Sequence, residues 1–177
     1  MFQQQFLLIS NQKNIMKKHY QISLYFLLLV LASLNAIGQT KNDNTENEIK
    51  NVLKLWNDAA KKSNLEEFMS LYDNSASIIL VGSDSGEVFN GSDQIRSWLG
   101  KLFMNNSFEW ELSKVYIDHH ENTAWVFVDG AMIVTNKEGK KFQTPYRFTG
   151  VMVRKNKDPN TIGWKWRLFN GSIPQGE

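Results

Sequence analysis

The sequence predicts an α+β fold in which three N-terminal helices pack on a strongly curved antiparallel sheet to form a cone. Two observations predict it. The first half of the chain carries three segments with a helical apolar period, beginning near Thr45, Ser63 and Ser92. From Phe108 onward, long segments rich in β-branched and aromatic residues alternate with turn-forming residues. A curved sheet beside helices can enclose a cavity, where small-molecule sites commonly lie.

Residues 1–38 have the features of a leader with a secretory signal peptide. Two lysines follow Met16, and an apolar run of about 13 residues at 22–34 leads to small residues that place cleavage after Gly38. That run is shorter than the roughly 20 residues that cross a bilayer, which favours a removed signal over a retained anchor. We therefore expect export to the periplasm or medium without stable membrane insertion, with translation starting at Met1 or Met16.

Residues 39–44 are polar and have nothing apolar to bury, which predicts a disordered spacer before a single domain at residues 45–177. The leader holds three of the chain's 20 basic residues and none of its 18 acidic ones, so the mature chain has a net charge of −1. Without a basic stripe, nucleic-acid binding is excluded. The absence of cysteine excludes disulfides, thiolate metal sites and a cysteine nucleophile.

The three helices are predicted from capping residues and apolar spacing. A capping box at Thr45–Glu48 precedes the first helix, and a second box at Ser63–Glu66 opens a shorter helix that runs through Tyr72. Ser92 caps the third helix. The apolar residues that share a face in these helices are Ile49, Val52, Leu53, Trp56, Ala59 and Ala60, then Leu65, Phe68 and Met69, then Ile95, Trp98, Leu99, Leu102 and Phe103.

A short strand is predicted at Ala76–Val81, followed by a turn-rich loop at Gly82–Gly91. Four longer strands then form an antiparallel meander. They are Phe108–Ile117, Thr123–Thr135, Lys141–Lys155 and Gly163–Ile173, joined by turns at 119–122, 136–139 and 156–159. No internal repeat interrupts this order, so the meander belongs to the same domain as the helices.

In this order of elements and in particular motifs, the chain resembles the SnoaL-like branch of the nuclear transport factor 2-like superfamily over about residues 46–175. The motifs are Leu71–Asp73, Gly82–Asp84 with Glu87, Gly91, Ala124–Trp125, Arg147–Val151, Trp164 and Phe169–Ser172. The resemblance implies a cone fold and a homodimer formed through the exposed sheet face. It does not select a function, because that scaffold hosts enzymes, binders and oligomerisation modules.

One position departs from the SnoaL-like pattern. Relatives often carry a histidine in the last strand where this chain has Asn170. Asparagine does not titrate near neutrality, so general base chemistry is not expected there. His119 and His120 fall in a predicted hairpin turn, where a solvated loop is favoured over a metal or catalytic pair.

Asp129 is the candidate catalytic residue. Strand alternation places it on one face with the apolar residues Trp125, Phe127, Ala131 and Ile133. Desolvation there would raise its pKa and allow general acid or base chemistry. The favoured alternative is that Asp129 pairs with Arg147, Arg167 or a backbone donor, or that a bulge at Gly130 exposes it.

A ligand-binding site is predicted at the open end of the cone. Most aromatic residues are expected to pack in the core. The ligand-binding candidates are Trp56, Trp98, Trp110, Tyr146, Arg147, Thr149, Asn170 and Ser172. Arg147 is equally consistent with a surface cation on the neighbouring face.

No metal or cofactor is expected. Asp84 and Glu87 flank Gly86 in a loop and could coordinate a cation or orient a polar ligand. Turn formation is favoured instead, because two scattered acids lack the oxygen donors of a calcium site. Phosphate loops, nucleophile elbows and zinc spacings are missing.

Three functions are compatible with these features. The leading hypothesis is an exported, cofactor-free domain that binds a small apolar or amphipathic molecule. The alternatives are a cofactor-free isomerase, hydratase or cyclase that uses Asp129, and an interaction module whose cavity its own side chains fill. A buried Asp129 facing an open cavity would favour the enzyme, whereas Trp56, Trp98 and Trp110 closing the cavity would contradict the binder.

Overall fold

The computed structural model describes residues 44–155 and 162–175. The predicted signal, most of the predicted spacer and the predicted turn at 156–159 therefore lie outside the described residues. Residues 46–155 and 162–175 belong to one compact unit. Nowhere in the described ranges is a helix both long and apolar enough to cross a membrane.

Three helices and seven strands make up the described chain. Helix α1 covers 44–61, and helices α2 and α3 cover Leu65–Ser70 and Ser92–Phe103. The strands are β1 Ile79–Val81, β2 Val88–Asn90, β3 Asn106–Trp110, β4 Lys114–His120, β5 Thr123–Asn136, β6 Lys141–Arg154 and β7 Trp164–Ser172. The predicted α+β cone is confirmed, with helices packed on one strongly curled sheet.

The sheet has the order β2-β1-β7-β6-β5-β3, and β4 also pairs with β5. Neighbours in the long meander are antiparallel, as predicted. However, β1 pairs with β7 in parallel, so the sheet is mixed. The sequence prediction missed this pairing because it depends on where the chain returns after the meander, about 90 residues later.

The predicted strand Phe108–Ile117 is two strands, separated by a bulge. Trp110 pairs with Met132, and Lys114 pairs with Asp129. Residues 111–113 therefore lie opposite residues 130–131 of β5, which is one residue more than regular pairing allows. A side chain at Gly130 would collide with the carbonyl of Glu111, which the bulge brings close. The extra residue bends the sheet and divides the strand.

Several predicted boundaries shift. Helix α2 ends at Ser70 instead of Tyr72, and its N-cap is Asn64, whose side chain accepts a hydrogen bond from the backbone N–H of Glu67. The N-cap of α3 is Gly91, not Ser92. His119 and His120 end strand β4 instead of forming a turn. Residue 44, assigned to the spacer, is helical.

The core between helices and sheet is built around aromatic rings. Trp56 of α1 is 1% exposed and contacts five of them. The partner rings are Phe68 at 5.2 Å, Trp110 at 4.2 Å, Phe148 at 5.5 Å, Trp166 at 5.8 Å and Phe169 at 5.4 Å, measured between centroids. Because these rings come from α2, β3, β6 and β7, the Trp56 contacts fix α1 against most of the sheet.

A buried ion cluster ties the segment after α2 to the sheet. The Asp73 side chain is 1% exposed and pairs with Arg167 and with Lys155, whose Nζ lies 3.1 Å from Asp73 Oδ1. The Ser75 hydroxyl donates to Asp73 Oδ2 at 2.9 Å. Burial by itself raises the pKa of Asp73, but hydrogen bonds from Lys155, Arg167 and Ser75 outweigh it and leave the pKa below its usual value.

We expect Asp73→Asn to lower the free energy of unfolding by roughly 1 to 3 kcal/mol at pH 7, because it removes the buried charge that Lys155, Arg167 and Ser75 contact, while the two partly exposed cations can still be hydrated. A lowered carboxyl pKa stabilises the fold above the unfolded value of about 3.9, and that contribution is lost as the pH falls through the folded value. Urea unfolding of both proteins should therefore give a difference at pH 7 that shrinks in acid.

Asp58→Asn is the matched control, because Asp58 makes an exposed i,i+4 pair with Lys54 at 2.5 Å. Its loss should cost less than about 0.5 kcal/mol. Equal losses in the two variants would show that the Asp73 cluster contributes no more than a surface pair.

Candidate functional site

A cavity of about 200 Å³ opens between helices α2 and α3 and the concave face of the sheet. Its walls are mainly apolar and aromatic. The apolar lining residues are Phe68, Leu80, Trp98, Leu99, Leu102, Phe103, Phe108, Trp110, Met132 and Phe169. A pocket with such walls and few polar groups is the usual form of a small-molecule site.

Two tyrosines supply hydroxyl groups to this cavity. The Tyr72 hydroxyl accepts a hydrogen bond from Trp56 Nε1 at 3.2 Å, and burial raises the pKa of its phenol. Burial also raises the pKa of Tyr146 to about 12, which Ser83 partly offsets and the carboxylates of Glu87 and Asp84 reinforce. Both phenols are therefore protonated at neutral pH and can donate hydrogen bonds.

The loop between β1 and β2 forms the polar edge of the cavity, with Ser83, Asp84 and Glu87 among the lining residues. The Glu87 carboxylate accepts a hydrogen bond from the backbone N–H of Asp84 at 3.1 Å. It lies so close over Gly82 that a Cβ there would sit 2.0 Å from Glu87 Oε2. Glycine at this position therefore lets the carboxylate fold against the loop.

A second close approach positions Tyr146. A Cβ added at Gly171 would lie 1.8 Å from the Tyr146 hydroxyl oxygen, so the phenol rests directly on the backbone of the neighbouring strand β7. Because Gly171 has no side chain, the Tyr146 hydroxyl can lie at this point of the cavity wall.

Three of the predicted ligand-binding residues line the cavity, namely Trp98, Trp110 and Tyr146. Trp56 does not line it. Its ring lies behind Trp110 in the core, stacked at 4.2 Å, and the cavity remains open above this pair. Trp56 was predicted at the mouth because helical spacing gives its face of the helix but not its depth.

The other four predicted residues, Arg147, Thr149, Asn170 and Ser172, are exposed on the outer face of the sheet. Their neighbours Tyr146, Phe148 and Phe169 are buried on the inner face, and side chains alternate along a strand. The prediction that these four polar residues meet at the cavity is therefore wrong, because they lie on the opposite face of the sheet. Because Asn170 points outward, a histidine at this position would not reach the cavity either.

Asp129 also lies on the outer face. Its carboxylate contacts Arg147 Nε at 2.8 Å and Lys114 Nζ at 3.4 Å, and the side chain is 30% exposed. The hydrogen bond from Arg147 lowers the pKa of Asp129, opposite to the effect expected of a desolvated acid. Trp125 and Phe127 do share its face, as predicted, but that face is not the buried one.

The sequence analysis missed several cavity residues. Helical spacing places Tyr72 on a buried helix face, and the turn-forming sequence favours a turn role for Ser83, Asp84 and Glu87 over contact with a ligand. The capacity of tyrosine to combine burial with a polar tip was the available signal for Tyr72. Within residues 44–155 and 162–175, no three acidic or histidine side chains cluster as metal ligands.

Comparison with protein families matches a SnoaL-like domain at residues 49–175, most of the chain. The protein belongs to the SnoaL-like domain family, which confirms the resemblance inferred from the sequence. A comparison with the curated proteins found no match.

Solved structures share the fold at low sequence identity. A proposed dehydratase of the nuclear transport factor 2-like family from Streptomyces avermitilis is 16% identical, with a TM-score of 0.66 over 76% of this chain and 99% of that one. A superfamily protein from Salmonella enterica is 18% identical, with a TM-score of 0.64 and coverages of 76% and 94%. A proposed calcium/calmodulin-dependent protein kinase II association domain from Xanthomonas campestris is 20% identical, with a TM-score of 0.59 and coverages of 73% and 88%.

The raised pKa of Tyr146 predicts a specific alkaline instability. A folded pKa of about 12 against an ordinary value of 10.0 gives stability that is complete below pH 10 and lost as the pH rises through 12. At pH 11 the loss should be about 1 kcal/mol. Denaturant unfolding at pH 9 and pH 11 should show a loss that is about 1 kcal/mol smaller in Tyr146→Phe than in the native protein, because Tyr72, whose pKa is also raised, contributes equally to both.

Phe142→Leu is the control, because Phe142 is 48% exposed and lies outside the cavity. It should keep the native pH dependence. If Tyr146→Phe lost as much stability between pH 9 and pH 11 as the native protein, the phenol would be in contact with bulk water and its placement in the cavity wall would be wrong.

Proposed function

We propose that this protein is an exported, cofactor-free SnoaL-like domain that binds a small, mainly apolar molecule in the cone cavity and acts as a homodimer. The observation that carries the proposal is the open cavity, whose aromatic walls surround two protonated tyrosines. Export is proposed from the signal-like features of residues 1–38.

The cavity volume limits the size of the ligand. An engineered apolar cavity of about 150 Å³ in another protein binds benzene. A cavity of about 200 Å³ therefore suits one substituted ring or an aliphatic molecule of similar bulk, and not a polycyclic compound.

The ligand is expected to carry an oxygen that accepts a hydrogen bond. Trp56 Nε1 can only donate, so the Tyr72 hydroxyl accepts from it and keeps its own proton available. No acceptor for that proton is found among the described residues. Because a buried donor without a partner is costly, a ligand carbonyl, ether or hydroxyl oxygen at this point would be favoured.

The binding role is favoured over the enzymatic alternative through Asp129. That carboxylate is on the opposite face of the sheet from the cavity and is paired with cations. The related structures carry names as different as dehydratase and kinase association domain, so the fold does not choose between a reaction and binding. The open cavity also disfavours an interaction module filled by its own side chains.

Tyr72→Phe tests the proposed hydrogen bond. The probes are acetophenone and α-methylstyrene, which have the same shape but differ by a carbonyl oxygen in place of a methylene carbon. The native protein should bind acetophenone more tightly, and Tyr72→Phe should weaken that binding about three- to tenfold while leaving α-methylstyrene unchanged. Titration calorimetry or ligand-observed NMR measures both dissociation constants.

Two further variants make this experiment interpretable. Phe142→Leu, at an exposed position outside the cavity, should bind both probes as the native protein does. Leu102→Trp places a larger side chain in the cavity wall and should weaken both probes. Binding that survives Leu102→Trp in a folded protein would place the ligand elsewhere and contradict the proposed function.

The outer face of strands β4–β7 is the proposed interface of the homodimer. Tyr116 and Trp125 are 62% and 47% exposed, and they border a shallow depression of about 330 Å³ with Phe127, Val151 and Leu168. A contiguous apolar patch of this kind on a sheet marks an association surface. A second copy of the same face supplies apolar residues for it, as in a two-fold symmetric interface.

We expect light scattering at micromolar concentration to give a dimer mass for the native protein. Trp125→Arg should give a monomer, because it places a charge in the centre of the patch. Phe142→Arg is matched in exposure, at 48%, but lies outside the depression, and should remain dimeric. A monomeric mass for the native protein would contradict the proposed interface without affecting the cavity.

A further inference from the structure

The charges around the cavity all have one sign. Among the described residues that line it, Asp84 and Glu87 carry charge, and both are carboxylates on the β1–β2 loop. Lysine, arginine and histidine are missing from that set of lining residues. The nearby ion pairs of Arg147 and Arg167 are formed with Asp129 and Asp73, which do not line the cavity. The lining therefore provides no cation to pair with an anionic ligand.

The negative charges of Asp84 and Glu87 affect the electrostatic potential inside the cavity as well as at its mouth. Both Asp84 and Glu87 raise the pKa of the Tyr146 phenol, which lies 5% exposed in the cavity wall. A negative potential that disfavours a phenolate at that point also disfavours any other anion there, and favours a cation.

The deeper walls fit the apolar part of a ligand. The Tyr72 hydroxyl accepts from Trp56, and its own proton has no acceptor among the described residues, which favours a ligand oxygen beside it. Aromatic faces at the wall, including Trp98 stacked on Phe89 with centroids 4.6 Å apart, are also favourable neighbours for a cation.

We propose that the ligand of the cone cavity is a small amine, with an apolar ring in the aromatic interior and a protonated nitrogen at the mouth beside Asp84 and Glu87. This inference rests on the proposed function and specifies its ligand class. The ammonium group keeps part of its hydration at the open edge, so it avoids most of the cost of burying a charge.

Three probes that differ in the head group alone test the charge preference. They are 4-hydroxyphenethylamine, 4-(2-hydroxyethyl)phenol and 4-hydroxyphenylacetate, which are cationic, neutral and anionic at pH 7. An exposed ion pair changes an equilibrium constant by up to about fivefold, and two carboxylates act here. We expect the amine to bind about five- to tenfold more tightly than the alcohol, and the carboxylate to bind more weakly than the alcohol.

The source of the preference is tested with Asp84→Asn combined with Glu87→Gln. These substitutions keep the shape of both side chains, and the amide oxygen introduced at position 87 can still accept from the loop backbone. The amine and the alcohol should then bind within about twofold of each other, while the alcohol keeps its native affinity. Glu138→Gln, which removes one exposed negative charge from the turn between β5 and β6, is the control and should keep the native preference.

The outcomes separate the two proposals. If the alcohol binds in the cavity but the amine gains nothing, or the carboxylate binds best, the amine inference is overturned and the proposed function stands. If none of the three probes binds, and acetophenone does not bind either, both are overturned. An amine preference that persists in the double variant would place the recognition of charge elsewhere and also overturn the inference. Higher salt should reduce the native preference.

Discussion

The position of Trp56 is the constraint on which the rest of the structure depends. Its ring contacts aromatic residues from a helix and three strands, and its indole N–H binds the hydroxyl of Tyr72. One side chain therefore supports the wall of the cavity through Trp110 and orients the polar group that faces it. Since Trp56 fills the space behind Trp110, the helices cannot collapse further onto the sheet, and the cavity above the pair remains open.

The fold could be predicted from the sequence because periodicity is a local property. The helical faces containing Leu53, Phe68 and Leu99 are buried as expected, and the long strands lie close to their predicted bounds. Which face of a strand is buried inside the cone depends on residues that are distant in the sequence. Strand alternation correctly grouped Asp129 with Trp125 and Phe127, but it could not show that the smaller residues Ala124, Val126 and Val128 occupy the inner face. Alternation identifies the two faces of a strand but not which of them the helices cover.

The candidate site was predicted only in part, because local spacing identifies interior residues but not the face or the depth at which they lie. Trp98, Trp110 and Tyr146 were found because large residues with helical or strand spacing had to face the interior. Arg147, Thr149, Asn170 and Ser172 were misplaced by one strand face, which a one-residue error in register is sufficient to cause. The carboxylates of the β1–β2 loop were recognised as turn residues. Their position at the cavity depends on the parallel pairing of β1 with β7, which no local pattern encodes.

The distribution of polar groups between the two faces of the sheet supports the proposed binding role. The outer face holds the paired ions Lys114, Asp129 and Arg147, whose charges compensate one another. The inner cavity holds phenols that stay protonated and carboxylates that stay at the edge. General acid–base catalysis at neutral pH needs a group that titrates near that pH, and the phenol of Tyr146 is displaced away from it. Phenols that stay protonated over the working range instead give a fixed pattern of hydrogen-bond donors, which suits selective binding.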